Sequence, residues 1–433
     1  LLVDRQTLND LGIFNKNEEH SVFHLLNYTT TSYGREQLQH LLAKPMDNIQ
    51  QIHDRQQVIR HFTKLMSSWP QKITNGTLLL IDKFYHTRIA PIPYPANRLN
   101  VAIYRTLNPN SFGAVRYSAK QFIDFLKGIE ELHELLEEVN ELSIIRNALL
   151  ALKKILDKPQ FQPYLTTKSN PVSELNLGYL MQTYKNDIKA ALQAFGVLDA
   201  WMSLTIACQK HQFVLPKLIE SETPYLQAKQ LFHPLLQNPV PYNIGLDKEK
   251  NFLFLTGANM AGKSTFIKAV GLAVHLAHLG IGVPAKEMEL CYFDGLFSNI
   301  QITDNILQGE SYFFNEVKRI KDTVERIGDK KKWLVLIDEL FKGTNVRDAM
   351  RCSIAVIEGF RKVQSSLFLL STHLYEIEED IKTYPNILFR YFETHDTDGL
   401  LSFSYQLRDG VSNDRIGYLI LQREGVIAQL EKL

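Results

Sequence analysis

The feature that most constrains this chain is the nonapeptide Gly257-Ala258-Asn259-Met260-Ala261-Gly262-Lys263-Ser264-Thr265, set between the apolar run Phe252–Thr256 and a helical pattern. It fits G-x4-G-K-[ST], and its place between strand and helix is the context a phosphate-binding loop requires. Gly257 and Gly262 allow backbone conformations closed to other residues, so successive N–H groups can surround phosphate oxygens. The helix N-terminus adds partial positive charge. Lys263 is placed to reach the β- and γ-phosphates of a nucleotide, and Ser264 to ligate Mg2+, with Thr265 closing the motif.

Two further elements extend this reading. Residues 333–337 form a buried strand pattern that ends in Asp338-Glu339. Asp338 can hold the Mg2+ shell, and Glu339 can orient or deprotonate an attacking water. Taken alone, such a pair is more often a helix N-cap; behind a phosphate loop the balance reverses. His373 follows the apolar run Leu367–Ser371. A lone histidine is usually structural, but at the carboxyl edge of a parallel sheet it is placed to touch a γ-phosphate.

After residues 232–234 strands alternate with helices. The runs 252–256, 333–337 and 367–371 are each followed by a helical pattern, and 388–392 and 401–407 are joined through Thr397-Asp398-Gly399. That order implies an α/β domain with a mostly parallel sheet. The first half reads differently. Residues 21–42 are helical with a break at Tyr33-Gly34, 49–62 are amphipathic, and Pro91, Pro93 and Pro95 mark a connector. From 118 to 156 a seam of Phe122, Phe125, Ile129, Leu132, Leu136 and Val139 runs beside an acidic rim, and a second helical stretch spans 173–208. A packed helix with a solvated face is the natural reading, and long antiparallel helices suit a lever. The expected organisation is an all-α core or lever domain over 1–229 and a P-loop domain over 230–433. No internal repeat or low-complexity segment is evident.

Charge excludes a uniformly basic nucleic-acid protein: 48 Lys+Arg face 47 Asp+Glu, a net +1. Residues 1–250 hold 27 basic and 23 acidic side chains (+4), and residues 251–433 hold 21 and 24 (−3), so a polyanion falls to the first half. Cys208, Cys291 and Cys352 lie far apart without a CxxC. They point to a reducing compartment, the cytoplasm, and away from a disulfide frame or zinc site. No apolar run approaches the roughly 18 residues needed to span a bilayer, and no signal peptide opens the chain. It begins at Leu1 rather than Met, so absences at this end carry little weight.

The segments around the acidic strand separate two classes of ATPase. No LSGGQ-type signature of ABC ATPases occurs. Gly309-Glu310-Ser311-Tyr312-Phe313-Phe314-Asn315-Glu316 precedes the strand, and Asp338 to Thr344 (DELFKGT) continues it. Here the chain resembles the MutS family of DNA mismatch-repair ATPases. That family's loop reads close to TGPNMGGKST, against TGANMAGKST here, and its GxSTF signature, DE-x-x-[RK]GT strand end and THxxE loop match 309–316, 338–344 and 372–376. Val283-Pro284-Ala285, the pair 232–234 and 240–243, the segments 405–407 and 410–417, and the opening 4–57 are also similar.

The resemblance implies an ABC-like P-loop ATPase fold and ATP hydrolysis with Mg2+. It implies that Asn259 touches the γ-phosphate, that Ser311 completes a neighbouring subunit's site, and that an aromatic near Tyr242 stacks on adenine. A composite site implies a homodimer through the ATPase domains, with DNA and a MutL-like repair protein as partners and no membrane. Ala258 and Ala261 replace the family's Pro and Gly, and Glu310 and Tyr312 stand where Arg and Thr are common. The family's mismatch reader carries a Phe-x-Glu wedge; the match here, Phe314-Asn315-Glu316, falls inside the signature helix. Two functions follow: a DNA-binding ATPase of mismatch repair or related DNA-structure sensing, and, as the alternative, a nucleotide-gated scaffold with little DNA affinity.

Overall fold

The computed structural model describes residues 1–137, 142–301, 312–397, 400–412 and 426–430. In chain order it opens with β1 (Leu2–Val3), α1 (Arg5–Asp10), α2 (Val22–Leu26), α3 (Ser32–Ala43) and α4 (Ile49–Leu65). The helical series continues with α5 (Asn75–His86), α6 (Arg98–Leu107), α7 (Pro109–Leu135), α8 (Ser143–Leu156), α9 (Gln162–Thr166), α10 (Pro171–Thr183) and α11 (Lys185–Lys210). Next come β2 (Lys217–Ile219), β3 (Leu226–Leu231), β4 (Tyr242–Leu246), β5 (Phe252–Thr256), α12 (Lys263–His278), β6 (Glu287–Cys291) and β7 (Gly295–Asn299). The last group is α13 (Tyr312–Ile327), β8 (Trp333–Asp338), α14 (Val346–Phe360), β9 (Leu367–Ser371), α15 (Glu378–Ile381), β10 (Ile387–Thr397) and β11 (Leu400–Asp409).

These elements form two compact units. The α/β unit comprises Leu1–Leu25, Pro45–Ile52 and His211–Leu433. Its main sheet has the order β1-β7-β8-β9-β5-β10-β11, parallel throughout except for the β10–β11 hairpin. Strands β5, β7, β8 and β9 are buried at every residue, which is why they read as unbroken apolar runs rather than alternating ones. Phe252 stacks on Phe368, and both belong to a core that also holds Trp333, Ile357 and Phe360. A second sheet, β2-β6-β3-β4, pairs antiparallel except at β2–β6.

The helical unit comprises Leu26–Lys44 and His53–Lys210. Phe122, Phe125, Ile129, Leu132 and Leu136 of the seam are fully buried, and Phe161 and Phe195 meet Phe122 and Phe125 edge-on. Val139 lies outside the described residues. The stretch expected as one helix from 173 to 208 is two, α10 and α11, parted at Tyr184; Asn170 and Pro171 start the first through a capping box. Gly34 sits inside α3 rather than at a break. The interruption falls at 27–31, where Thr31 caps α3.

Two expectations need correction. The expected boundary at 229/230 gives way to an interleaved division in which the first 25 residues and 45–52 cluster with the α/β unit. The reason is β1, which pairs with β7 through Leu2–Gly295 and Val3–Leu296 and so makes the chain's start an edge of the main sheet. The second concerns apolar length. Helix α11 is long and apolar enough to cross a membrane by composition, but 83% of its most apolar stretch is buried within the fold. It is apolar because it is packed on nearly all sides.

Candidate functional site

The site lies at the carboxyl ends of β5, β8 and β9, neighbours in the order β8-β9-β5. The loop between β5 and α12 needs its glycines: Gly257 has φ +132° and Gly262 φ +110°, a region L side chains rarely occupy. A Cβ at Gly257 would also come within 3.2 Å of the Phe392 backbone. Lys263 opens α12 and is buried, its Nζ donating to the carbonyls of Gly257 (2.7 Å) and Ala258 (2.9 Å). Burial lowers its pKa, opposed by the charges of Glu339 and Asp338. The ammonium thus rests on loop carbonyls that an entering anion can displace.

On β8 the Asp338 carboxylate accepts a short hydrogen bond from the Ser371 hydroxyl of β9. Glu339, just past the strand, takes φ +63°, an uncommon conformation for a residue with a side chain, and its N–H donates to Ser371 O at 2.9 Å. Its two oxygens each meet a nitrogen-bearing side chain: Oε2 lies 3.1 Å from Lys342 Nζ and Oε1 3.4 Å from His373 Nδ1. Burial alone would raise this carboxyl, but the His373 hydrogen bond and the Lys342 ammonium hold it down at about 2. The β9 end is fixed by Thr372, whose N–H donates to Leu255 O.

A cavity of about 460 Å³ opens beside these groups, lined in part by Tyr242, Asn259, Lys263, Ser264, Glu339 and Tyr405, with Gly262 and Thr265 also on its wall. The structure therefore gathers nearly all the expected residues: Gly257 joins through its bond to Lys263, and His373 through Glu339. Ser311 lies outside the described residues. Tyr242 is 6% exposed and packs at right angles to Phe266 and Phe392, so it forms the cavity's apolar back wall. Tyr405, 42% exposed and on the same wall, presents the more open ring.

Sequence reasoning gave no role to two residues here. Lys342 is the cation on Glu339. Glu316 of α13 is buried and accepts the N–H groups of Lys342 (3.1 Å) and Gly343 (3.2 Å), pinning the loop after the acidic pair. That disposes of the Phe-x-Glu match as a wedge, because its carboxylate is committed inside the fold. The signal lay in the spacing of Glu316 from the DELFKGT run, which only the packing of α13 converts into contact.

An interior strand of a mostly parallel sheet leading into a glycine-bounded loop, with an acid-ended strand two positions away, defines an α/β protein equipped to receive an anionic ligand. The chain belongs to the MutS family: a family model for MutS domain III matches residues 6–308, and one for MutS domain V matches residues 253–429. A protein named DNA mismatch repair protein msh3 from Aspergillus oryzae is 28% identical over 273 residues, 60% of this chain and 24% of its own length. DNA mismatch repair protein MutS from Lactococcus lactis subsp. cremoris is 27% identical over 261 residues, 58% of this chain and 31% of its own. Its counterpart from Oceanobacillus iheyensis is 28% identical over 229 residues, 51% and 26% respectively. The chain thus spans about a quarter to a third of the length of these relatives.

Proposed function

We propose that this chain is an ATP-hydrolysing, DNA-associated protein of mismatch repair or related DNA-structure sensing, with a P-loop ATPase domain as its engine. The observation that carries the reading is the convergence of Lys263, Ser264, Asn259 and Glu339 on one cavity beneath a glycine-bounded loop. ATP would enter with its phosphates along the 257–262 N–H groups, and Lys263 would exchange its carbonyl partners for β- and γ-phosphate oxygens. Tyr242 and Tyr405 would flank the adenine.

Mg2+ fits this chemistry through its donors: the Ser264 hydroxyl and the Asp338 carboxylate are hard oxygens, too few for a metal cage but suited to an ion that arrives with phosphates and water. Among the described residues no group of three or more His, Cys, Asp or Glu is placed to hold a metal alone. Bound there, the ion would neutralise phosphate charge. Glu339 would orient and deprotonate the attacking water, helped by a γ-phosphate that draws Lys342 and His373 away from its oxygens. Ser311 from a second copy would complete the site, so closure on two nucleotides would drive the long helices, with a MutL-like protein as downstream partner.

Isothermal titration of Mg-ATP into the wild type and Lys263→Ala tests the engine: binding that survives unchanged in Lys263→Ala contradicts it. The scaffold alternative is motivated by the near-neutral charge and the commitment of Glu316. Anisotropy on homoduplex, mismatched and branched DNA separates the two, since phosphate contacts give an affinity that falls steeply with salt. Absence of binding at low salt favours the scaffold.

A further inference from the structure

The turn that presents Glu339 is built from unfavourable backbone and is held from outside its own strand. Glu339 and Phe341 both lie in the left-handed region, at φ +63° and +59°, with buried Leu340 between them. Neither is a glycine, and two such residues within three positions persist only where the surroundings over-determine them. One hold comes from β9, whose Ser371 carbonyl accepts from Glu339 N at 2.9 Å. The other comes from α13. Glu316 is 2% exposed, and its Oε1 and Oε2 accept from Lys342 N (3.1 Å) and Gly343 N (3.2 Å) respectively.

Burial raises the Glu316 carboxyl, and the N–H groups of Gly343, Lys342 and Phe341, with the Lys342 charge, oppose that rise. Successive N–H groups in such a turn form a concavity suited to an anion, and here the chain fills it with its own carboxylate. A buried charge is a costly way to seat a helix; apolar side chains do it more cheaply. Apolar and close contacts are already present. Phe313 of α13 meets the Phe341 ring at 5.8 Å, and a Cβ on Gly343 would lie 2.8 Å from Phe313 N. The carboxylate therefore serves the backbone of the turn more than the adhesion of the helix. The turn in turn serves the site, because Glu339 lines the nucleotide cavity and Glu316 does not.

We propose that Glu316 is a positioning residue for hydrolysis: its carboxylate, seated on the N–H groups that follow the acidic strand, keeps the 339–341 turn in the conformation that brings Glu339 to the cavity. The inference rests on the ATP-hydrolysis reading and adds to it a determinant carried by a separate helix. ATP would be held by the 257–265 loop rather than by this turn, so loss of the carboxylate should act on turnover and leave binding intact.

The test uses the full-length protein. Glu316→Gln keeps one carbonyl oxygen as an acceptor, and Glu316→Ala keeps none. In Glu316→Ala kcat should fall about thirtyfold while the Kd for a fluorescent ATP analogue stays within about twofold, and Glu316→Gln should fall between it and the wild type. Gly343→Ala, which pushes Phe313 off the turn without touching a charge, should lower kcat in the same way. Because Glu316 acts through Glu339, Glu316→Ala should cost almost nothing further in a Glu339→Gln background. Without nucleotide, amide exchange at 341–343 should quicken in both Glu316 variants. Ile327→Val, a core change at the far end of α13, should leave kcat within about twofold. A folded Glu316→Ala with unchanged kcat overturns the proposal. So does a loss matched in Kd, or one that persists undiminished in the Glu339→Gln background. Should Glu316→Ala fail to fold, Glu316→Gln decides on the same readouts. A wild type that neither binds nor hydrolyses ATP would sink the underlying reading instead, and the exchange at 341–343 would still report the hold of Glu316 on the turn.

Discussion

Asp199 of the helical unit and Glu339 of the α/β unit are both carboxylates drawn out of bulk water, and they are held in opposite ways. Asp199 accepts from the N–H and hydroxyl of Thr30 and of Thr31, at 2.6 to 3.0 Å for the shortest bond each donor makes. Its partners are backbone and short hydroxyls, and Gly34 closes over it so tightly that a Cβ there would lie 2.1 Å from Oδ2. Glu339 is held by two longer side chains, the Lys342 ammonium and the His373 ring, on a residue with positive φ, at the wall of a cavity. A carboxylate saturated by fixed donors ties the chain to itself. One restrained by side chains that can swing away is available for chemistry.

The largest effect expected from this contrast is on stability. Asp199→Ala strands the Thr30 and Thr31 donors and should cost about 3 kcal/mol in a denaturant titration, with ATP affinity untouched. A changed ATP affinity at full stability would break the comparison. Gly34→Ala should cost about 2 kcal/mol by overpacking against Asp199, again with nucleotide binding unaltered.

On the other side of the contrast, Lys342→Ala removes the ammonium that helps keep Glu339 near 2. Burial then dominates, the carboxyl rises, and the acid limb of kcat/KM should move upward by about one pH unit. An unmoved limb would mean that Glu339 is not the base. The smallest effect concerns His233, which burial, aided by Lys268, lowers from 6.5 to about 4. Because the unfolded chain takes up the proton first, stability should drop by about 1 kcal/mol between about pH 8 and 6, and His233→Gln should flatten that slope.

The α/β unit was the more legible of the two. Strands buried on both faces announce themselves as apolar runs, so β5, β8 and β9 and the loop and acids at their ends could be placed from sequence, and β10 and β11 were found with shorter bounds. What escaped was short or non-local. A two-residue β1 and a six-residue α1 carry too little periodicity to be assigned to any sheet, and β6 and β7 lacked turn signals strong enough to mark them. Glu316 and Lys342 gain their roles only when α13 packs against the loop after β8. In the helical unit the seam was readable from its alternating spacing of three and four, but the exact helix ends were set by caps such as Asn170 and Thr31.

The central claim, that the Glu339 carboxylate drives hydrolysis at a site built by the 257–265 loop, is met most directly by Glu339→Gln. Steady-state phosphate release and Mg-ATP affinity should be measured together on this variant and the wild type. The account predicts turnover down by about a hundredfold or more with ATP still bound at near wild-type affinity. Turnover at the wild-type rate, or a loss explained wholly by weakened binding, would contradict it.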